Sequence, residues 1–468
     1  REGSPGGLWQ SGRMGQTTSL DFCGALSGIG GLLERRSSGA RPPPQGYKRA
    51  RSGSSGYISR GDSVLSCRAI SRAISKAPVT RDIDAAVLET ALDALSSRVR
   101  PWDSGSYALV KNLEACVRNY GSVDMMDDVR NARKVAVKRM PNSWLREGPA
   151  EFARRNKGVS EQPWLDLAVL TELNKRRYPY ACDLLSVLRG RRYTYAVMSL
   201  ATQGDLFAWC SSKPAPGPQL EAMISPIASQ MFSAVRWLHN LGIAHRDLSL
   251  ENIMLTDSPF DVPQVKLIDF AMSTTSRMCR LEPRGKPSYQ APEMHGEAEY
   301  DAFLSDAFAL GVCLFALAVQ GYPWASTKRV SACEWYRCVE EHGLRKLLEQ
   351  KRLRQSGGRC ITEVLSPDLV ELVGGLLELQ PAMRFHLGEN CMEEEAEAWR
   401  SVWETSWLQE PLEGELCVAD EATASTSSGG DTDASSDGGS TELGDAEKAV
   451  PCEPQLPACS VSAEGCSA

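Results

Sequence analysis

The residues predict an α+β fold, and three observations carry that prediction. Short apolar runs with strand character, Tyr107 to Val110, Lys134 to Lys138 and Tyr195 to Met198, gather early in the ordinary-composition part of the chain. Helical spacing dominates the later part, from Leu220 to Leu241, after Ser305, from Trp335 to Gln355 and from Pro367 to Leu379. Between them lies His245-Arg-Asp247-Leu-Ser249-Leu-Glu-Asn252-Ile-Met-Leu255, a carboxylate, an amide five residues later and then a short apolar strand.

The chain has 468 residues, enough for one large core or two modest ones with room for tails. Residues 1–80 are rich in Gly, Ser, Pro and Arg without apolar periodicity and read as a disordered basic arm. Met14-Gly15-Gln-Thr-Thr-Ser19 matches the myristoylation pattern if translation starts at Met14, with Cys23 and the cluster from Arg35 to Arg51 as a second membrane signal. The expected address is therefore cytoplasmic, with peripheral membrane attachment through Gly15 in that case. The plainer alternative is an internal methionine in a solvated arm, and no nucleic-acid partner is expected. Asp82 to Val99 carries apolar residues at helical spacing and forms a helical lead-in over 81–100 that packs on the domain behind it. From 101 to 410 the composition is that of a folded domain. After Pro411 the chain turns to Ser, Thr, Gly, Asp and Glu, a disordered acidic tail within a net charge of −7. The longest apolar run, Ala307 to Val319, is too short to span a bilayer. Fifteen scattered cysteines without a C-x-x-C pair favour reduced thiols over a disulfide framework or a zinc site.

The carboxylate and amide of the central stretch suit phosphoryl transfer, because such chemistry needs a group to orient a hydroxyl and another to hold a metal at the phosphates. His245 to Asn252, followed in order by Asp269-Phe270 and by Ala291-Pro292-Glu293, resembles the eukaryotic protein kinases, of divergent serine/threonine type. The resemblance implies a bilobal fold, with a small β-rich lobe, a larger helical lobe and ATP with Mg2+ between them. It implies Asp247 as catalytic base and Asn252 and Asp269 as metal ligands, since hard cations prefer oxygen. It assigns Lys138, at the end of its strand, to the ATP phosphates. Asp166, in the amphipathic stretch Pro163 to Leu173, stands where the family offers a glutamate to that lysine, with Glu161 and Glu172 as alternatives. The polar insertion Asn142 to Gln162 precedes it.

Gly121 and Val123 match the family's glycine-rich phosphate turn, whereas Cys116 and Arg118 occupy the places of its first two glycines. Side chains there obstruct close approach to phosphate, although Arg118 adds a charge. Met198 flanks the adenine pocket by resemblance, the backbones of Ser199 and Ala201 meet the adenine edge, and Asp205 meets the ribose. Ala271 replaces the glycine after Phe270 and restricts that turn. Glu282 stands where many kinases carry an activating phosphothreonine, a permanent carboxylate to face Arg246 without phosphorylation. The lysine usually two residues after the base and the threonine usually after the glycine of the activation segment, here Gly285 within Ala271 to Gln290, are exchanged, as Ser249 and Lys286. In the family fold these side chains touch. Glu293 is expected to pair with Arg384, and Asp306 to cap its helix and hold the catalytic-loop backbone. The function implied is a serine/threonine protein kinase acting on protein substrates. The alternative is a pseudokinase, a nucleotide-binding or scaffolding module, which the altered glycine turn, Asp166, Ala271 and Lys286 support and the complete catalytic set opposes.

Overall fold

The computed structural model describes residues 83–409 except 117–120, 146–147, 158, 260–261, 330–332 and 394–399. Arg118, the arm with Gly15 and Cys23, and the acidic tail lie outside the described residues.

Six strands form one sheet, in the spatial order β1-β5-β6-β4-β3-β2. They are β1 (Arg100–Pro101), β2 (Tyr107–Cys116), β3 (Gly121–Asp128), β4 (Arg133–Pro141), β5 (Leu184–Arg189) and β6 (Tyr193–Ser199). All neighbours are antiparallel except β1 with β5. Alternation along β4 decides which side chains face where. Val135 and Val137 are buried on one face with Met126, Leu188 and Val197, where Trp102 stacks on Tyr195 at 3.8 Å. Ala136 and Lys138 point to the opposite face. Lys138 stands opposite Val123 on one side and Ala196 on the other, and Ala136 stands opposite Met198. Paired residues share a face, so register alone gathers Val123, Lys138 and Met198.

That second face is covered by the Pro163–Lys175 helix. The lead-in helix runs Ala85–Ser96, with Asp84 accepting from the Val87 N–H at 2.8 Å as its N-cap. Its buried Leu88 joins Ala168 and Val169 in the core, and the Ile83 N–H donates to Leu241 O, so it touches both halves of the protein. The expected polar insertion instead contains two short helices, Asn142–Leu145 and Gly148–Arg155. Leu145 and Phe152 bury their side chains there, a pair too sparse to read as periodicity.

The larger helical part is built on Ala302–Val319, whose every residue is buried. Length and composition would let this helix cross a membrane, yet all of it lies inside the protein. Each fully buried Leu or Phe stabilises by about 1.5–3 kcal/mol, so this helix is a firm base for what hangs on it. It begins three residues before the expected Ser305. Asp301 is its cap, accepting from the Phe303 N–H at 2.8 Å, so Asp306 is an interior residue and not the cap. The expected helix from Trp335 is two, Glu334–His342 and Leu344–Gln350, parted at Gly343 where φ of +79° cannot continue a helix. The helix from Pro367 stops at Leu376.

Candidate active site

Asp306 reaches out of its buried helix to accept the backbone N–H of His245 at 2.6 Å and of Arg246 at 2.8 Å. The catalytic loop is thereby fastened to the core, with Arg246 held at φ +65°. His239 braces Asp306 from behind, with Nε2 at 3.0 Å from Asp306 and Nδ1 at 2.7 Å from Glu389. Burial opposes charge on this imidazole, but the two carboxylates prevail and raise its pKa to about 9. Hydrogen bonds from His239 and then His386 hold Glu389 down at about 2 against its burial. His245 is pushed below the usual histidine range by burial and packs on the Phe270 ring with centroids 5.1 Å apart.

Asp247 is half-buried at the head of this loop. Asn252 Nδ2 donates to Asp247 O at 2.7 Å and to Asp247 Oδ2 at 3.0 Å. That commitment of the amide nitrogen leaves the Asn252 oxygen as the end available to a cation. Burial and then the Asp269 charge raise the Asp247 carboxyl to about 7, while Lys286 and Asn252 oppose the rise.

On the sheet side, Lys138 Nζ lies 2.7 Å from Asp166 Oδ2 and 3.0 Å from Asp269 Oδ1. Asp166 is therefore the partner among the three candidates, because Glu172 pairs with Lys175 at 3.2 Å and with Arg176 at 3.6 Å along its own helix. The second Asp166 oxygen accepts the Phe270 N–H at 3.0 Å, so this carboxylate ties helix, strand and the Asp269 turn together. Asp269 adopts φ +61°, and burial would raise its carboxyl, but Lys138 holds it below the ordinary range. Lys138 is itself raised, since the two aspartates outweigh its own burial. Ala271 lies in a 3₁₀ turn over Phe270–Met272 and is not a positive-φ residue, so its Cβ meets no backbone penalty.

The remaining predicted residues fall at the rim. Gly121 opens β3, and Val123 faces the cleft side with Lys138. Met198 packs at the edge of the main core. Ser199 ends β6 with its N–H donating to Asp183 O at 2.9 Å, and Ala201 follows in the connection. Asp205 spends one oxygen capping the Leu206–Ser211 helix, accepting from the Ala208 N–H at 2.7 Å.

Arg246 donates to Glu282 Oε2 at 3.2 Å, the pair expected from the sequence. Lys286 Nζ lies 3.0 Å from Ser249 Oγ, so the exchanged residues do touch. Glu293 and Arg384 pair in two parallel bonds of 2.5 and 3.0 Å. Sequence reasoning missed Tyr300, whose hydroxyl donates to Glu282 O at 2.7 Å and accepts from Arg246 at 3.1 Å. It also missed Glu251, 2.9 Å from Lys286 Nζ, and the His239–Glu389 brace. Glu251 is visible as the acid beside Asn252; nothing local marks Tyr300, His239 or Glu389.

The family model for the protein kinase domain matches residues 119–395, more than half of the chain. Similar proteins include serine/threonine-protein kinase SRK2A of Physcomitrium patens, 29% identical over 227 residues, covering 47% of this chain and 58% of that one. Serine/threonine-protein kinase SAPK3 of Oryza sativa subsp. indica is 30% identical over 223 residues, 47% of this chain and 59% of that one. Testis-specific serine/threonine-protein kinase 5 of Mus musculus is 28% identical over 277 residues, 56% and 64% of the two chains. The chain thus spans less than two thirds of the length of each of these relatives.

Proposed function

The chain belongs to the protein kinase domain family, and on that premise we propose that it transfers the γ-phosphate of ATP to serine or threonine hydroxyls of protein substrates. One observation carries the reading. Lys138, Asp247, Asn252 and Asp269, from three separate segments, converge on one cleft with Asp247 and Asp269 close enough to perturb each other. Each is the residue type the chemistry requires.

The donor set fits the groups expected there. Asp269 and the Asn252 oxygen are hard donors suited to Mg2+. Lys138 shares its face with Val123 and Met198, which suits phosphates beside an apolar base pocket. Bound magnesium would offset the negative charge on the phosphate oxygens. Asp247 orients the substrate hydroxyl and takes its proton as that oxygen bonds to the γ-phosphorus. The bond from the γ-phosphorus to the bridging oxygen breaks, and ADP departs with that electron pair. Asp166 keeps Lys138 and the Phe270 backbone in place throughout, so the arrangement precedes substrate binding. Glu282 on Arg246 supplies the charge that a phosphate would otherwise bring, so activity needs no phosphorylation of the activation segment.

The test is transfer of radiolabelled phosphate from ATP with magnesium to a mixed protein substrate, for wild type and Asp247→Asn. The expected result is transfer by the wild type and a loss of about 100-fold or more in the variant. The base must be deprotonated, so kcat/KM should rise as pH increases through about 7. A wild type that binds ATP without any transfer would overturn the reading in favour of a nucleotide-binding module.

A further inference from the structure

Resting on that reading, we propose that Lys286 is a catalytic cation carried to the transferred phosphate by the activation segment, with Ser249 and Glu251 as the residues that position it. Gly285 sets the approach. A Cβ built there would meet Arg246 O at 2.9 Å and Asp247 Oδ1 at 3.3 Å, and the residue holds φ +82°. Only glycine allows the segment to press so closely on the catalytic loop. The next residue is Lys286.

Two oxygens hold its ammonium, Ser249 Oγ in a hydrogen bond of 3.0 Å and Glu251 Oε2 in an ion pair of 2.9 Å. Ser249 is fully buried, so its hydroxyl faces the lysine rather than solvent. Lys286 itself is 42% exposed. An ammonium has three donors, and its hydrogen bond to Ser249 uses one, the Glu251 contact being an ion pair without a hydrogen bond, so donors remain for a further group. Among the described residues, two other cations nearby are committed. Lys138 is shared by Asp166 and Asp269, and Arg246 is engaged by Glu282 and Tyr300. Asp269 and Glu161 both act on Asp247 as negative charges, a field into which a triphosphate must come. A cation on the substrate side of Asp247 offsets that field where charge passes to the hydroxyl acceptor. Relative to the order usual in serine/threonine kinases, the hydrogen-bonded pair is kept while its two members have changed places.

The experiment measures kcat for wild type, Lys286→Ala, Ser249→Ala, and the double exchange Ser249→Lys with Lys286→Thr. Lys286→Ala should lower kcat by roughly 100-fold. Ser249→Ala should lower kcat less and add nothing in the Lys286→Ala background, since both act through one ammonium. The double exchange should recover activity to within about tenfold of wild type, whatever the fate of either single variant. A Lys286→Ala enzyme with a wild-type rate overturns the proposal. So does a double exchange that folds, by its melting curve, and is as slow as Lys286→Ala. Wild-type transfer abolished by Asp247→Asn keeps the kinase reading intact in each of these cases, and its absence would remove that reading first.

Discussion

Lys138 and Asp166 lie between sheet and helix, 18% and 4% exposed, with the 36% exposed Asp269 at their edge, whereas Glu282, Lys286 and Glu251 on the substrate side are 51%, 42% and 41% exposed. The two clusters flank the same Asp247 and are made of the same kinds of charge. They differ in how freely their residues depart from the family pattern. On the buried side the change is a carboxylate shortened by one methylene, Asp166, and its contact with Lys138 survives at 2.7 Å. On the exposed side a carboxylate stands for a phosphate and a lysine has exchanged places with a hydroxyl. The reason is energetic. Removing one member of a buried pair leaves an uncompensated charge and costs about 3–5 kcal/mol. Exposed pairs contribute about 0–1 kcal/mol, so their members can be rearranged without loss of the fold.

Breaking the buried cluster should therefore have the largest effect. Lys138→Met is expected to reduce phosphate transfer by on the order of 10³-fold. It should also destabilise the protein by about 3–5 kcal/mol, because Asp166 and Asp269 would remain close together without their cation. Urea unfolding monitored beside the rate checks both, and an undiminished stability would contradict the rule drawn from the comparison.

A third cluster, deeper still, sharpens it. His239 is held charged between Asp306 and Glu389, with its folded-state pKa of about 9 above the ordinary 6.5. A raised pKa means that its stabilising contribution is complete below about pH 6.5 and is lost as pH rises through 9. Wild-type melting temperature should accordingly fall across that window, whereas His239→Gln should start lower and show a flatter profile. Parallel curves for the two proteins would count against the charged brace. Glu389 acts at the other end: its pKa of about 2 lies below the ordinary 4.5, so its contribution is present above that value and is lost as pH falls toward 2.

The smallest effect is expected at Glu282 on the exposed side. Glu282→Ala removes one carboxylate from Arg246 but leaves its bonds to Glu282 O and Tyr300. A loss of up to about 1 kcal/mol corresponds to a rate lowered no more than roughly fivefold. Glu282→Gln, which keeps the shape and removes the charge, separates the electrostatic part, and an unchanged rate in both would end the idea that Glu282 replaces a phosphate.

Much of this is legible in the residues alone, because the chemistry demands particular residue types at short spacings. Asp247 and Asn252 are five residues apart on one loop, and alternation along a strand puts Val135 and Val137 on the face opposite Lys138. Boundaries and distant partners are not legible in that way. The break at Gly343 depends on one positive φ, and the capping role of Asp301 depends on where the apolar helix starts. The choice of Asp166 over Glu161 and Glu172 needed the position of a helix across a sheet, which no local pattern encodes.

By itself the sequence determined the family and the run of strand and helix segments around its motifs, since periodicity and motif spacing are local properties. Tertiary structure alone decided which charges meet across long stretches of chain: Lys138 with Asp269, 131 residues apart, and His239 with Glu389, 150 apart. Such contacts arise from packing and from the cost of burying an unpaired charge. Both act through space and leave no mark on the neighbouring residues.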